Sequence, residues 1–220
     1  MPNDTIFLLI GLALLWLPRS WLRLGKPTGT RKRMLNRDEE VKRHRQPSDH
    51  SLWIGEEFGR FRNWVDLTRG FAGASAVVLF LAPILNELIA VQGASNNKLI
   101  FILSAGIFFA AITIQMIRIE ERMSLTPPVF FIFGLAFAIV GPDVALLAFI
   151  AIWAINVALP NPSVFLTAYA TIVVALGVML KSGNLNTILM AGLAVFPPFV
   201  AILFRRRLAR FKKRRKIVVR

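Results

Sequence analysis

The chain alternates between long apolar stretches and short polar breaks, and this pattern predicts its structure. Six windows contain no charged side chain: Thr5 to Pro18, Gly70 to Asn86, Leu99 to Ile117, Met123 to Pro142, Val144 to Leu180 and Ser182 to Phe204. A helix that crosses a membrane needs about 20 apolar residues, so the fifth window is long enough for two crossings. We therefore predict an all-α fold, a polytopic transmembrane helical bundle of about seven spans.

Composition agrees with this prediction, because 55% of the 220 residues are hydrophobic and too little polar surface remains to coat a soluble globule. Ile54, Phe58 and Phe61 follow helical spacing among charged residues, a pattern typical of a helix that lies on a membrane surface. An ordinary aromatic belt at the interface gives the same pattern. Four parts follow: 1–24, a reverse-anchor transmembrane helix; 25–62, a basic cytoplasmic loop with an interfacial amphipathic segment; 63–204, a six-helix transmembrane bundle; 205–220, a basic cytoplasmic tail.

The first window is as short as the apolar part of a secretory signal, but its flanking residues differ from those of a signal. No Lys or Arg precedes Ile6, whereas Arg19 and Arg23 follow the window. The sequence Pro18-Arg19-Ser20 does not match a small-residue cleavage site. We interpret this window as a retained anchor.

The formal net charge of +15 is concentrated in the region between the first two windows and in the C-terminal tail. When seven spans are threaded alternately, both regions fall on one side, together with Arg118 and Arg122. The opposite side keeps only Lys98 and Lys181. Because positive loops remain in the cytoplasm, we predict that the N-terminus is outside and the C-terminus inside. The expected location is a bacterial inner (plasma) membrane.

Several polar residues fall in the predicted cytoplasmic halves of the spans and form a candidate polar pocket. Its members are Asp66, Arg69, Gln115, Asn156 and Tyr169. Asp66 and Arg69 are three residues apart and can neutralise each other on one helical face. Such a pocket suits an anionic lipid head group or an amphiphile. The competing interpretation is that each side chain satisfies a local hydrogen bond.

Small residues recur at spacings that let membrane helices approach closely. They are Gly70, Gly73 and Ala74 in the second span, Gly106 and Ala110 in the third, Gly134 and Ala138 in the fourth, and Thr167, Thr171 and Ala175 in the sixth. We predict packing faces there. Pro197 and Pro198 fall inside the last span, where two missing amide donors predict a helix kink. A kink can serve packing, or it can line a transport site.

The C-terminal tail is predicted to contact anionic lipid. Its basic residues are Arg205, Arg206, Arg207, Arg210, Lys212, Lys213, Arg214, Arg215 and Lys216. Each contributes about 1 kcal/mol near an anionic surface. Lipid head groups at the cytoplasmic face are therefore favoured as partners over nucleic acid, and other membrane protein subunits are a further expected partner.

The sequence contains no motif that names a reaction. It has no cysteine, and His44 and His50 both lie in the basic loop outside the apolar windows. Metalloprotease, serine-elbow, paired-aspartate and phosphate-loop patterns are missing. We therefore expect no metal or cofactor and favour a non-catalytic protein. An enzyme that acts on lipid head groups, with Asp66 as its acid or base, is the weakest hypothesis.

These observations predict an accessory or scaffold subunit of a membrane complex. The small-residue faces and basic flanks favour packing against other membrane components, while no charge lies at the middle of a span. The alternative is a small transporter or lipid-handling membrane protein with a site near the cytoplasmic leaflet, between the Pro197-Pro198 bend and the polar residues.

Overall fold

The computed structural model describes residues 2–18, 57–90, 97–118, 124–159, 161–181 and 184–204. Within these ranges the fold is helical. The helices are α1 (Pro2–Trp16), α2 (Phe61–Ala90), α3 (Asn97–Met116), α4 (Val129–Ile139), α5 (Pro142–Ile155), α6 (Pro162–Lys181) and α7 (Leu185–Leu203). Two short strands, β1 (Ile117–Arg118) and β2 (Ser124–Leu125), pair in antiparallel fashion between α3 and α4. A 3₁₀ turn, Asn156–Ala158, extends α5.

Four of these helices, α2, α3, α6 and α7, are long and apolar enough to cross a membrane. This result confirms that the chain forms helices suited to cross a membrane. The other three are shorter, with 15 residues in α1, 11 in α4 and 14 in α5. An 11-residue helix is only about 16 Å long, so helix length alone does not establish seven spans.

The short helices end where the sequence opposes helical backbone. Pro18 follows shortly after the last residue of α1, and the residue before a proline disfavours helical geometry. Pro127 and Pro128 delay the start of α4, and Pro128 is its N-cap. Gly141 has φ of +89°, a conformation that favours glycine, and it turns the chain directly into α5.

The helix α2 packs against both α1 and α4. Gly70 and Gly134 lie where the backbones of α2 and α4 meet: a Cβ atom on Gly70 would lie 2.5 Å from the carbonyl oxygen of Phe131. On the α1 side, a Cβ atom on Gly73 would lie 2.6 Å from the Leu15 side chain. Small residues therefore permit close helix approach here, as predicted for the second and fourth spans.

The other two predicted small-residue faces are exposed. Gly106 and Ala110 lie on the surface of α3, and a Cβ atom on Gly106 would meet nothing within 4 Å. Thr167, Thr171 and Ala175 form an exposed stripe along α6, called the α6 stripe below. These two faces are therefore uncovered within the described part of the chain, and their packing role stays a prediction. A spacing pattern shows which residues share a face but not what covers that face.

Candidate functional site

Buried polar side chains gather at one end of the bundle. They are Glu57, Asn63, Asp66, Arg69, Gln115 and Asn156; among the described residues, Thr187 is the further buried polar side chain. We call this end, where α1 finishes and α2 begins, the Arg69 end. The buried polar residues of α2 all lie in its first turns, and the rest of its buried face is small or apolar.

Arg69 caps the C-terminus of α1. In a regular helix the Leu14 carbonyl would accept from the amide four residues on, but that residue is Pro18, which has no N–H. Arg69 supplies the missing donors: its Nε lies 3.2 Å and its Nη2 2.9 Å from the Leu14 oxygen. Nη2 also donates to the Leu17 carbonyl. The guanidinium thus satisfies helix-end carbonyls that would otherwise be left without partners.

Gln115 caps the same helix end from α3. Its Nε2 donates to the carbonyls of Leu15 and Leu17, at 2.9 Å in each case. Together with Arg69, it joins α1 to two later helices through hydrogen bonds rather than through apolar contact alone. The polar residues predicted to form a ligand pocket therefore have another use here, because they hold the end of α1.

Asp66 balances the charge of Arg69. The carboxylate oxygen Oδ1 lies 3.6 Å from Nη1, and both side chains are nearly fully buried. The two residues are three apart on α2, as the sequence interpretation required. A buried pair of this kind is costly to break, because removing one partner leaves an uncompensated charge in a poorly hydrated place.

A second polar group fixes the turn that precedes α2. Asn63 Nδ2 donates to the carboxylate of Glu57 at 2.7 Å and to its carbonyl at 2.9 Å. Arg60 forms an ion pair with the same carboxylate at 3.1 Å. Trp64 Nε1 donates to the Phe58 carbonyl at 2.9 Å. These bonds hold Phe58 against the bundle.

Phe58 belongs to a group of rings, called the aromatic cluster, at the same end. Its members are Phe58, Trp64, Phe130, Phe133, Phe149, Trp153, Phe165 and Tyr169. Phe133 lies at its centre, with its ring centroid 4.8 Å from Tyr169 and 4.9 Å from Phe149. Phe58 lies 5.0 Å from Trp153. Edge-to-face geometry dominates, as the ring quadrupole favours.

Two polar atoms in the aromatic cluster have no protein partner. The Tyr169 hydroxyl and the Trp153 indole N–H are buried, and neither forms a hydrogen bond within the described part of the chain. Tyr169 is 0% exposed and Trp153 is 7% exposed. Buried polar groups in folded proteins nearly always have partners, so these two require an explanation. Asn156, one turn after Trp153, is also buried.

A helix cap of another kind lies at the opposite end of the bundle. Lys181, the last residue of α6, donates from Nζ to the Val140 carbonyl at 2.8 Å. Because Val140 ends α4, a positive charge lies at a helix C-terminus, where it is favourable. This bond places the turn between α4 and α5 level with the end of α6.

The five residues of the predicted polar pocket lie in three different places in the structure. Asp66, Arg69 and Gln115 meet at the end of α1, whereas Tyr169 lies in the aromatic cluster and Asn156 at the end of α5. The pocket itself stays a prediction. Sequence reasoning missed the aromatic cluster, although the spacings Phe130-Phe133, Phe149-Trp153 and Phe165-Tyr169 place each pair on one helical face.

The remaining predicted site residues give less information. Pro197 and Pro198 are buried inside α7, which stays helical through both. Their missing amides leave the carbonyls of Leu193 and Ala194 without the usual helical donor. The basic tail residues 205–216 lie outside the described residues. Within the described ranges, no group of three His, Cys, Asp or Glu side chains could hold a metal ion.

Comparisons with protein-family models, with curated proteins and with solved structures returned no match.

Proposed function

We propose that this chain is a multi-pass membrane protein that serves as a non-catalytic accessory or scaffold subunit of a membrane complex. The observation that carries the proposal is the α6 stripe. Large side chains such as Met179 and Leu180 are what an exposed membrane helix ordinarily presents, and both are exposed here. Thr167, Thr171 and Ala175 instead form a shallow face, which lets the backbone of a second helix approach closely.

The stripe is suited to lie in lipid before a partner binds. Thr167 donates its hydroxyl to the carbonyls of Ser163 and Val164, at 3.1 and 3.0 Å. Thr171 donates to the Thr167 carbonyl at 3.1 Å. Their polar atoms are therefore satisfied within α6. Association with another helix then gains packing without first breaking hydrogen bonds to water. The exposed Gly106 and Ala110 on α3 offer a second surface of this type.

A seven-span arrangement with the N-terminus outside and the C-terminus inside is part of the proposal. The bond between Lys181 and Val140 supports it, because α6 has 20 residues and is about 30 Å long, enough to cross the hydrocarbon core. Because the turn between α4 and α5 reaches the end of α6, we propose that these two helices cross the membrane as α6 does and do not form a re-entrant hairpin. The segregated basic residues support the orientation, and a bacterial inner membrane is the location that we propose.

The transporter or lipid-handling alternative is less favoured. It requires Asp66, Arg69 and Gln115 to face a ligand, whereas Arg69 and Gln115 are bonded to α1 and Asp66 pairs with Arg69. The proposed anionic-lipid contact of the basic tail is compatible with either role.

The α6 stripe provides the test. The double variant T167L/T171L fills the face with bulky side chains, and L180M changes an exposed apolar residue on the opposite side of the same helix as a matched control. Both proteins are extracted in mild detergent at native expression level and analysed by native mass spectrometry. We expect a stoichiometric membrane protein to accompany the wild type and L180M, and to be lost from T167L/T171L without a change in thermal stability. Purification of the wild type as a lone chain would contradict the proposal.

A further inference from the structure

The two unpartnered polar atoms of the aromatic cluster reduce the stability of the protein as it stands. A buried hydroxyl or N–H without a partner has lost the hydrogen bond that it made to water in the unfolded chain, and nothing in the folded protein replaces it. Phenylalanine at Tyr169 would keep the ring contacts and avoid this loss. Polar groups that lower stability in this way are typical of functional sites.

The rings around Tyr169 and Trp153 define the shape of a fitting ligand. Three helices contribute these rings: α4 provides Phe130 and Phe133, α5 provides Phe149 and Trp153, and α6 provides Phe165 and Tyr169. A ligand bound among them would contact ring faces and ring edges. A flat apolar molecule matches such walls. The indole N–H and the phenol O–H can each donate to an oxygen atom of that molecule.

Phe58 shows that the cluster accepts a ring from outside the three helices. It belongs to the helical residues 57–58 that precede α2, is only partly buried, and contacts Phe130, Phe149 and Trp153. Side-chain hydrogen bonds of Asn63 and Trp64 hold these residues across the break in the helix at 59–60. Because this segment is separate from α4, α5 and α6, the Phe58 ring can be withdrawn without dismantling those helices.

We propose that the aromatic cluster is a binding site for a planar, membrane-soluble ring that carries carbonyl oxygens, the quinone class, and that Phe58 occupies part of this site. The ligand stacks among the rings of α4, α5 and α6 and displaces Phe58. Tyr169 and Trp153 donate hydrogen bonds to its oxygens. This inference goes beyond the accessory role and does not depend on it. It concerns the buried face of α6, which carries Tyr169, whereas the accessory role concerns the exposed α6 stripe.

The test compares duroquinone with durene, the hydrocarbon of the same ring and methyl groups without the two oxygens. Binding to the full chain in lipid nanodiscs is measured by equilibrium dialysis, and protein-free nanodiscs give the partition background. The chain has no cysteine, so thiol addition does not interfere. We expect saturable binding of duroquinone, tighter than that of durene. Tyr169→Phe should weaken duroquinone binding about 2- to 10-fold, the value of one hydrogen bond, and leave durene unchanged.

Three further variants complete the experiment. Phe58→Ala should tighten binding of duroquinone, because it removes the competing ring. Trp153→Phe should weaken it as Tyr169→Phe does, whereas Trp16→Phe, in α1, should have no effect. The melting temperature of ligand-free Tyr169→Phe should stay unchanged or rise. Equal affinity for durene and duroquinone, insensitivity to Tyr169→Phe, or a fall in melting temperature of that variant would each overturn the proposal.

Discussion

Arg69 replaces the amide that Pro18 lacks: the guanidinium donates twice to the Leu14 carbonyl, at 3.2 and 2.9 Å. An arginine inside an apolar bundle usually suggests a ligand or a transported charge. Here its fork of donors matches the end of a helix that proline has cut short. Pro18, which leaves the Leu14 carbonyl without its usual donor, follows α1, whereas Arg69, which supplies the donors, lies on α2.

Arg69→Met should lower the free energy of unfolding by about 3–5 kcal/mol, because it removes the cap of α1 and the buried positive charge 3.6 Å from the Asp66 carboxylate. Thermal or chemical unfolding in detergent measures the loss. The double variant D66N/R69M should be less destabilised than R69M, since it also removes the carboxylate that Arg69 balances. Equal stability of R69M and the wild type would show that the cap contributes nothing.

Gly134→Ala should separate α2 from α4. A Cβ atom at this position would overlap the Leu67 carbonyl oxygen and lie 2.7 Å from the Phe71 amide nitrogen, and backbone atoms cannot move aside as a flexible side chain can. Overpacking of this kind costs about 1–3 kcal/mol or more. The measurement is the unfolding free energy of the variant in detergent.

Gly106→Ala is the matched control for that substitution. The new methyl group on α3 would meet nothing within 4 Å, and alanine favours helix over glycine by about 1 kcal/mol. We expect this variant to be as stable as the wild type or slightly more stable. A similar loss in both glycine variants would mean that close α2–α4 contact is not the cause.

Gly141→Ala should destabilise the hairpin for two separable reasons. Its φ of +89° strains any residue with a side chain, and the Cβ atom would lie 2.5 Å from Lys181 Nζ. A double-mutant cycle with Lys181→Ala separates the two, because it removes the clash and leaves the strain. We expect Gly141→Ala to cost less in the Lys181→Ala background. Identical costs in both backgrounds would exclude the clash.

The position of the hairpin can be tested by cysteine labelling, since the natural chain has no cysteine. Asp143→Cys, at the start of α5, and Leu185→Cys, at the start of α7, should react with an impermeant maleimide from the same side of the membrane. Val157→Cys, which is exposed beyond the other end of α5, should react from the opposite side. Labelling of Asp143→Cys and Val157→Cys from one side would indicate a re-entrant hairpin.

The sequence predicted the helices well, because charge-free windows and prolines mark helix ends directly. It did not distinguish the small-residue faces from one another: Gly134 and Gly106 stand in similar patterns, yet Gly134 meets the backbone of α2 and a Cβ atom on Gly106 would meet nothing within 4 Å. Spacing along one helix contains no information about which helix lies opposite. The roles of Arg69 and Gln115 were out of reach for the same reason, since their partners lie 55 and 100 residues away.

Aromatic spacing carried an unused signal. Phe149 and Trp153 lie four residues apart on one face of α5, as Phe165 and Tyr169 do on α6, and the structure brings both pairs to Phe133. Aromatic residues are common in membrane helices and at their interfaces, so each pair alone is uninformative. Their convergence depends on the tertiary fold, which brings Phe133 of α4 into contact with both pairs.

The dependence of α1 on Arg69 and Gln115 sets an order of events during biosynthesis. Chains are made at about 5–20 residues per second, so α1 precedes its last capping residue by several seconds at least. During that interval the carbonyls of Leu14, Leu15 and Leu17 do not yet have all the side-chain donors that they have in the folded protein. The end of α1 is therefore complete only once α3 has been made, so a substitution at Gln115 should loosen a helix end 100 residues earlier in the chain.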